Sequence, residues 1–196
     1  MAVVLRGGFW RARYGVELAR PLAADLAADG WAAVAVEYRP VGAGGGWPQT
    51  LQDVAAAVDL LSDLPGAQRL DPTDVTVVGH SAGGHLAAWL AGRGRLRRVR
   101  RGRAPGAGAV AAFLGGAPDV VPDRYATADP VRLLPTGAAV LCVHGTGDDT
   151  VPLEQSRPPC GRVGLTAGVL VRSDCRSSVV GTVHLMSRAN DLTDMQ

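Results

Sequence analysis

Short apolar segments recur along the chain, and longer segments with mixed polarity separate them. Each apolar segment has four to seven residues, which is the length of a β-strand. Their apolar character is nearly continuous, as is typical of strands that are covered on both faces of a sheet. We therefore predict six strands, over residues 2–5, 32–38, 75–78, 109–114, 138–143 and 168–171.

The segments between these strands predict α-helices, because apolar positions recur there at helical spacing, as at Leu51, Val54 and Val58. The predicted helices cover residues 15–28, 49–64, 82–92 and 153–167. Strands that alternate with helices predict an α/β fold, here a three-layer α/β/α sandwich with a mostly parallel sheet. We expect one domain over residues 1–196, with functional groups at the carboxyl ends of the strands.

Composition narrows the class of protein. With 47% hydrophobic residues in 196, the chain can bury a sizeable core, and a net charge of +2 favours no anionic partner. The three cysteines do not form a disulfide framework, and the N-terminus lacks the pattern of a signal peptide. We therefore expect a cytoplasmic protein with no membrane span.

An arginine-rich stretch at 93–103 contains seven arginines and no acidic residue. It has no interleaved aromatic residues, so we predict a solvated loop and do not expect a nucleic-acid partner. A module that binds nucleic acid or another anion through this stretch is the alternative.

The candidate chemistry begins at the sequence GHSAG, residues 79–83. It follows a predicted strand and precedes a predicted helix, which is the context in which G-x-S-x-G forms a sharp turn that exposes a nucleophilic serine. The glycines at 79 and 83 allow the strand and the helix to approach each other. Ser81 is therefore the candidate nucleophile.

Serine needs a general base, and the chain has four histidines. His80 adjoins Ser81 in the sharp turn and should point away from it, and His85 in the helix should pack or support the site. His144 begins the loop HGTGDD and should hold that loop together. His184, which we place downstream of the last strand, is the candidate base by elimination.

A carboxylate must orient the base. Asp148 and Asp149 both follow a predicted strand, and the chain order serine, aspartate, histidine is that of α/β-hydrolases. Both aspartates are candidates, and we favour Asp148 as the acid and Asp149 as a loop residue. For the oxyanion hole we expect the backbone N–H of Ala82 and donors from RGGFW, residues 6–10.

These motifs resemble the α/β-hydrolase superfamily, in particular esterases and formamidases with an HGG-x-W oxyanion motif, the group that contains kynurenine formamidase and feruloyl-esterase-like hydrolases. The stretches that carry the resemblance are 7–10, 79–87 and 144–152, with His184 as a fourth match. The resemblance implies Asp148 as the acid and Gly8 and Phe9 as oxyanion donors. It implies no cofactor and no metal.

The chain departs from this pattern at three places. Arg6 replaces the histidine of the oxyanion motif, the usual N-terminal hairpin of the sheet is not present, and the sequence after about residue 155 matches poorly. The sequence thus predicts a serine hydrolase of the carboxylesterase type that cleaves a small ester or an activated amide. A catalytically impaired or truncated relative and a small-peptide peptidase of the prolyl-oligopeptidase type remain open. The sequence does not predict the oligomeric state.

Overall fold

The structure is a computed structural model that describes residues 1–71, 74–94, 108–134, 138–156, 167–172 and 180–186. For the last two ranges, the description covers the backbone. None of the helices in these ranges has the length and apolar composition that crossing a bilayer requires.

Six strands form one sheet. They are β1 (Ala2–Leu5), β2 (Ala33–Val36), β3 (Asp74–His80), β4 (Ala139–Gly145), β5 (Ala167–Arg172) and β6 (Val180–Met186), in the order β2-β1-β3-β6-β4-β5. β1 is parallel to β2 and β3, and β4 is parallel to β5, whereas β6 is antiparallel to β3 and β4. The prediction of an α/β fold with a mostly parallel sheet is confirmed.

The described helices are α1 (Arg20–Ala28), α2 (Gln49–Asp59), α3 (Ala82–Gly92), α4 (Ala109–Leu114) and α5 (Pro122–Ala128). Short 3₁₀ turns accompany them at Val16–Leu18, Leu60–Asp63, Ala67–Arg69, Pro130–Leu133 and Leu153–Gln155. The helix predicted over 153–167 begins as one of these turns, and most of that segment lies outside the described residues. The other three predicted helices are confirmed within a few residues.

One predicted strand is wrong: residues 109–114 form α4. An apolar run of six residues fits a buried helix as well as a buried strand, and three alanines favour the helix. Gly108 and Gly115, both with positive φ, set the ends of this short helix. The strand that lies between β3 and β4 is instead β6, which the periodicity did not predict.

Alternate residues of β1 face two different cores. Val3 and Leu5 belong to the larger core together with residues of α2 and α3, whereas Val4 packs with Ala19 and Ala23 beside α1. All four residues of β1 are buried, which agrees with a strand covered on both faces. Helices thus cover both sides of the sheet at β1, and α3 begins where β3 ends.

We expect Leu86→Ala to lower the free energy of unfolding by about 2–5 kcal/mol, because Leu86 of α3 is 0% exposed and its truncation leaves a cavity. The matched control is Leu60→Ala, since Leu60 is 56% exposed and its loss should change the free energy by less than about 0.5 kcal/mol. Urea denaturation of both variants measures the difference. Equal effects would contradict the assignment of α3 to the core.

Candidate active site

Ser81 occupies the tight connection between β3 and α3. Its backbone has φ 52° and ψ −115°, a conformation that side-chain-bearing residues rarely adopt. The glycines on either side are sterically required: a Cβ on Gly79 would collide with the backbone of Gly83, and a Cβ on Gly83 would collide with the carbonyl oxygens of Leu5 and Arg6. The local geometry is therefore that of the sharp turn expected from G-x-S-x-G.

Left-handed backbone conformations cluster here. Among the described residues, the non-glycine residues with positive φ are Ser81, Phe9 (53°) and Trp10 (58°). Phe9 and Trp10 lie in the loop that follows β1, beside the serine turn at the carboxyl edge of the sheet. Such conformations cost energy and concentrate at functional sites, so their clustering marks this edge as a candidate site.

The loop after β1 approaches the serine closely. A Cβ on Gly7 would stand 2.7 Å from His80 Nδ1 and 3.4 Å from Ser81 Cβ. The backbone N–H groups of Gly8, Phe9 and Ala82 have no hydrogen-bond acceptor within the described ranges. Unpaired N–H donors beside a serine are the components of an oxyanion hole.

Asp148 stands in the loop after β4 with a buried side chain, 2% exposed. Its Oδ1 accepts hydrogen bonds from the backbone N–H groups of Thr150 and Val151, both at 2.9 Å. Its Oδ2 is buried and receives no hydrogen bond from any residue that the structure describes. A fixed carboxylate with one oxygen open is the form that would accept an imidazole N–H.

The pKa of Asp148 lies below its usual value. Burial raises it, but the N–H groups of Val151 and Thr150 and the nearby His144 and His80 together lower it. The carboxylate form is therefore the one that the folded protein favours. Asp149, by contrast, is exposed and accepts a hydrogen bond from the Thr150 hydroxyl at 3.2 Å, which suits the loop role expected for it.

His144 holds the loop together, as the sequence predicts. Its Nε2–H donates to the carbonyl of Val151 at 3.0 Å, and its Nδ1 is paired with the Ser156 hydroxyl at 2.7 Å. Nε2 also lies 3.7 Å from Asp148 Oδ2, which is beyond hydrogen-bond distance. His144 thus shapes the loop that presents Asp148.

His85 and Trp10 belong to the packing beneath the site. The two rings meet edge to face at 5.2 Å, and Trp10 stacks on Phe113 at 4.7 Å. His85 Nε2–H donates to the carbonyl of Ala128 at 2.8 Å, and burial lowers the pKa of its ring. The expectation that His85 packs is confirmed, and Trp10 is a core residue that is 8% exposed.

The structure does not bring His184 to Ser81. The expectation that His184 follows the last strand is wrong, because it lies within β6, where its Cα is paired with Thr76 of β3 and Ala139 of β4. Thr76 precedes Ser81 by five residues of extended chain, roughly 16 Å at about 3.3 Å per residue. In this register His184 stands toward the opposite end of the sheet from the serine.

His80 is the histidine nearest to the serine in the chain. It is exposed, partial burial lowers the pKa of its ring, and the negative charge of Asp148 partly offsets this effect. A lowered pKa favours the neutral imidazole, which is the form that can accept a proton. Within the described ranges, no three His, Cys, Asp or Glu side chains cluster as metal ligands would.

Arg6 has a set of partners that the sequence did not reveal. Its side chain is buried, forms an ion pair with Glu37 at 2.6 Å and lies over the ring of Tyr38. Glu37 and Tyr38 directly follow β2, the strand beside β1. Their place at the carboxyl end of a neighbouring parallel strand is the signal that, together with Arg6, could have predicted this cluster.

The chain is similar to a known protein family and to several solved structures. The model of the BD-FAE family matches residues 1–103, just over half of the chain, including both the loop after β1 and the serine turn. The chain belongs to the BD-FAE family. A comparison with curated proteins gives no match.

Several solved structures share the fold of this BD-FAE chain. A bifunctional GH43-CE protein of Bacteroides eggerthii has 20% identity and a TM-score of 0.68, with 87% of this chain and 30% of that chain covered. A truncated carbohydrate esterase from gut microbiota has 19% identity and a TM-score of 0.68, with 87% and 75% covered. A thermophilic esterase of Thermogutta terrifontis has 20% identity and a TM-score of 0.60, with 87% and 69% covered. The chain thus spans less than a third of the first of these proteins, and identities this low show the fold alone.

We expect Asp148→Asn to lower the free energy of unfolding at pH 7 by about 1–2 kcal/mol, because the charge that strengthens two backbone hydrogen bonds is lost. The folded-state pKa of Asp148 is depressed, so this contribution is present above the unfolded pKa of about 4 and is lost as pH falls through the folded pKa. Denaturation at pH 7 and pH 3 should show that the difference in unfolding free energy between the wild type and Asp148→Asn is smaller at pH 3. Asp149→Asn is the matched control. A difference between the wild type and Asp148→Asn that stays constant with pH would contradict the stabilising role of the Asp148 carboxylate.

Proposed function

We propose that this chain is a serine esterase of the carboxylesterase type. Ser81 Oγ attacks the carbonyl carbon of a small ester, and the N–H groups of Ala82, Gly8 and Phe9 donate to the oxyanion that forms. A histidine accepts the serine proton and returns it to the leaving alcohol, while Asp148 stabilises the imidazolium. Water then hydrolyses the acyl-enzyme. The observation that carries the proposal is the strained backbone of Ser81 beside unpaired N–H groups.

The substrate class is a small carboxylic ester. Two proteins of similar fold are a carbohydrate esterase from gut microbiota and an acetyl ester-xyloside bifunctional hydrolase from Caldicellulosiruptor lactoaceticus, so acetyl esters of sugars are the first substrates to examine. The resemblance to formamidases makes an activated amide the second class, since the same attack expels an amine in place of an alcohol. The cytoplasmic location that the sequence favours stays a prediction.

The base has two candidates. The chain order serine, aspartate, histidine favours His184. For this role β6 would have to bring His184 to the carboxyl edge of the sheet, which the register described above does not do. His80 already stands at that edge, and the charge of Asp148 acts on its ring. The open Oδ2 of Asp148 is a site that either imidazole would fill, so substitution of each histidine separates the two proposals.

A catalytically impaired relative is the second candidate function. The observation that favours it is the register of His184, which leaves the chain-order base roughly 16 Å along the strand from Ser81. Such a protein would keep the serine turn and bind an ester without turning it over.

Labelling with a fluorophosphonate probe tests both functions. We expect the purified wild-type protein to be labelled and Ser81→Ala to show no labelling, because the probe reacts with an activated serine. His184→Ala and His80→Ala are compared in the same assay, and the base is the histidine whose removal lowers the labelling rate about 100-fold or more. A panel of short-chain esters and acetylated sugars then gives the substrate class.

Folding of each variant is checked by circular dichroism. A folded wild-type protein that is not labelled would contradict the esterase proposal and favour the impaired relative. Labelling that persists in Ser81→Ala would contradict Ser81 as the nucleophile.

A further inference from the structure

Arg6 has the largest fully buried side chain among the described residues. Its guanidinium donates from Nε to Glu37 Oε1 at 2.6 Å, from Nη1 to the Tyr38 hydroxyl at 3.2 Å and from Nη2 to the Tyr38 carbonyl at 3.3 Å. These bonds, with the ring of Tyr38 4.0 Å from the guanidinium carbon, hold the group in one orientation. A charge buried this completely needs such partners, but its position beside the serine turn needs a further explanation.

One more hydrogen bond connects Arg6 to the loop itself. Nη1 donates to the carbonyl oxygen of Gly7 at 3.3 Å. A trans peptide unit is planar, so its C=O and its N–H point in opposite directions. When the Gly7 carbonyl faces the guanidinium, the N–H of Gly8 in the same peptide must face away from it. This N–H is one of the three beside the serine that lack an acceptor in the described ranges.

The next peptide is held in the same way. The carbonyl oxygen of Gly8 accepts a hydrogen bond from the N–H of Arg11 at 2.9 Å, which leaves the N–H of Phe9 directed away. Two successive carbonyl oxygens therefore accept hydrogen bonds, and the two N–H groups of the same peptides have no acceptor among the described residues. A guanidinium holds the first carbonyl and a turn of the chain holds the second.

We propose that Arg6 is a positioning residue that fixes the direction of the Gly7–Gly8 peptide, so that the N–H of Gly8, and not the carbonyl of Gly7, faces the reacting oxyanion. This inference rests on the proposed esterase function. It explains why the replacement of the histidine in the motif by Arg6 is compatible with an oxyanion hole: the arginine reaches the same loop from the buried side, and Glu37 and Tyr38 hold it there.

Among the described residues, the bond from Arg6 is the hydrogen bond that holds this peptide. Glycines flank it, and glycine adopts both signs of φ at small cost. Rotation would turn a carbonyl oxygen toward the site in place of a donor, which would repel the negative charge of the transition state. Arg6 therefore acts on the chemical step, and the binding of the neutral ester depends on it much less.

The test uses Arg6→Met, which keeps a shorter unbranched side chain and removes the guanidinium donors. Glu37→Gln is the matched control, because it removes the charge of the partner, keeps an oxygen that can accept from Arg6 Nε, and leaves the guanidinium bond to Gly7. We expect Arg6→Met to lower kcat for p-nitrophenyl acetate by about 100-fold with KM changed less than about threefold. Glu37→Gln should lower the thermal midpoint and leave kcat within about threefold of wild type.

Glu37 is 46% exposed, so water reaches the carboxylate that Arg6→Met leaves without its partner. If Arg6→Met does not fold, Arg6→Met combined with Glu37→Gln removes the unpaired charge and takes its place. A folded variant that lacks Arg6 and keeps the kcat of Glu37→Gln would overturn the proposal. Equal losses in kcat for Arg6→Met and Glu37→Gln would also overturn it, since a general structural role would then explain both.

Crystal structures of the wild-type protein and the Arg6 variant give a readout that does not depend on activity. We expect the Gly7 carbonyl to face the guanidinium in the wild type and to be rotated in the variant. An unchanged peptide in the variant would overturn the inference. If the wild type hydrolyses no ester and takes no label, the proposed function fails, and the peptide orientation still decides the role of Arg6.

Discussion

The first turn of α3 lies against the end of β1, and the arrangement of the candidate site depends on this contact. It is possible only because Gly83 has no side chain, since a Cβ there would stand 2.6 Å from the carbonyl oxygen of Arg6. The contact brings the serine turn at the end of β3 and the loop at the end of β1 to one edge of the sheet. Because the two strands are parallel neighbours, the N–H groups of both segments meet where Ser81 projects.

The electrostatics at the carboxyl edge of the sheet depend on which backbone groups already have hydrogen-bond partners. Around the serine, carbonyl oxygens of the loop after β1 are occupied by Arg6 and Arg11, and the N–H groups stay open. Around Asp148 the unpaired group is an acceptor. Backbone N–H groups donate to one carboxylate oxygen, and the other has no donor among the described residues. One segment can thus donate to a developing anion and the other can accept from a developing cation, which is the charge separation that the proposed ester cleavage by Ser81 requires.

Local chemistry made much of this predictable. Five strands, β1 to β5, overlap the apolar runs that predicted them, and the turn at Ser81 follows from glycines at two fixed positions. For residues 109–114 the apolar pattern did not distinguish a buried helix from a buried strand, and only the three alanines favoured the helix. The position of His184 depends on the register of β6 with two distant strands, and no local pattern encodes a pairing of that kind. The partners of Arg6 were missed for the same reason, since Glu37 and Tyr38 approach it only through the pairing of β1 with β2.

The place of β6 also has a consequence for how the chain folds. β6 lies in the interior of the sheet and is about a hundred residues from β3 in the sequence, whereas its pairing with β4 spans only about 40 residues. Pairings across long loops carry the larger closure entropy and form late. During folding, β6 can therefore pair with β4 before it pairs with β3, and the inner edge of β3 remains without a partner until then. Over that interval β3 and β6 each expose a free edge where another chain can add a strand, and this makes the middle of the sheet the part most open to aggregation.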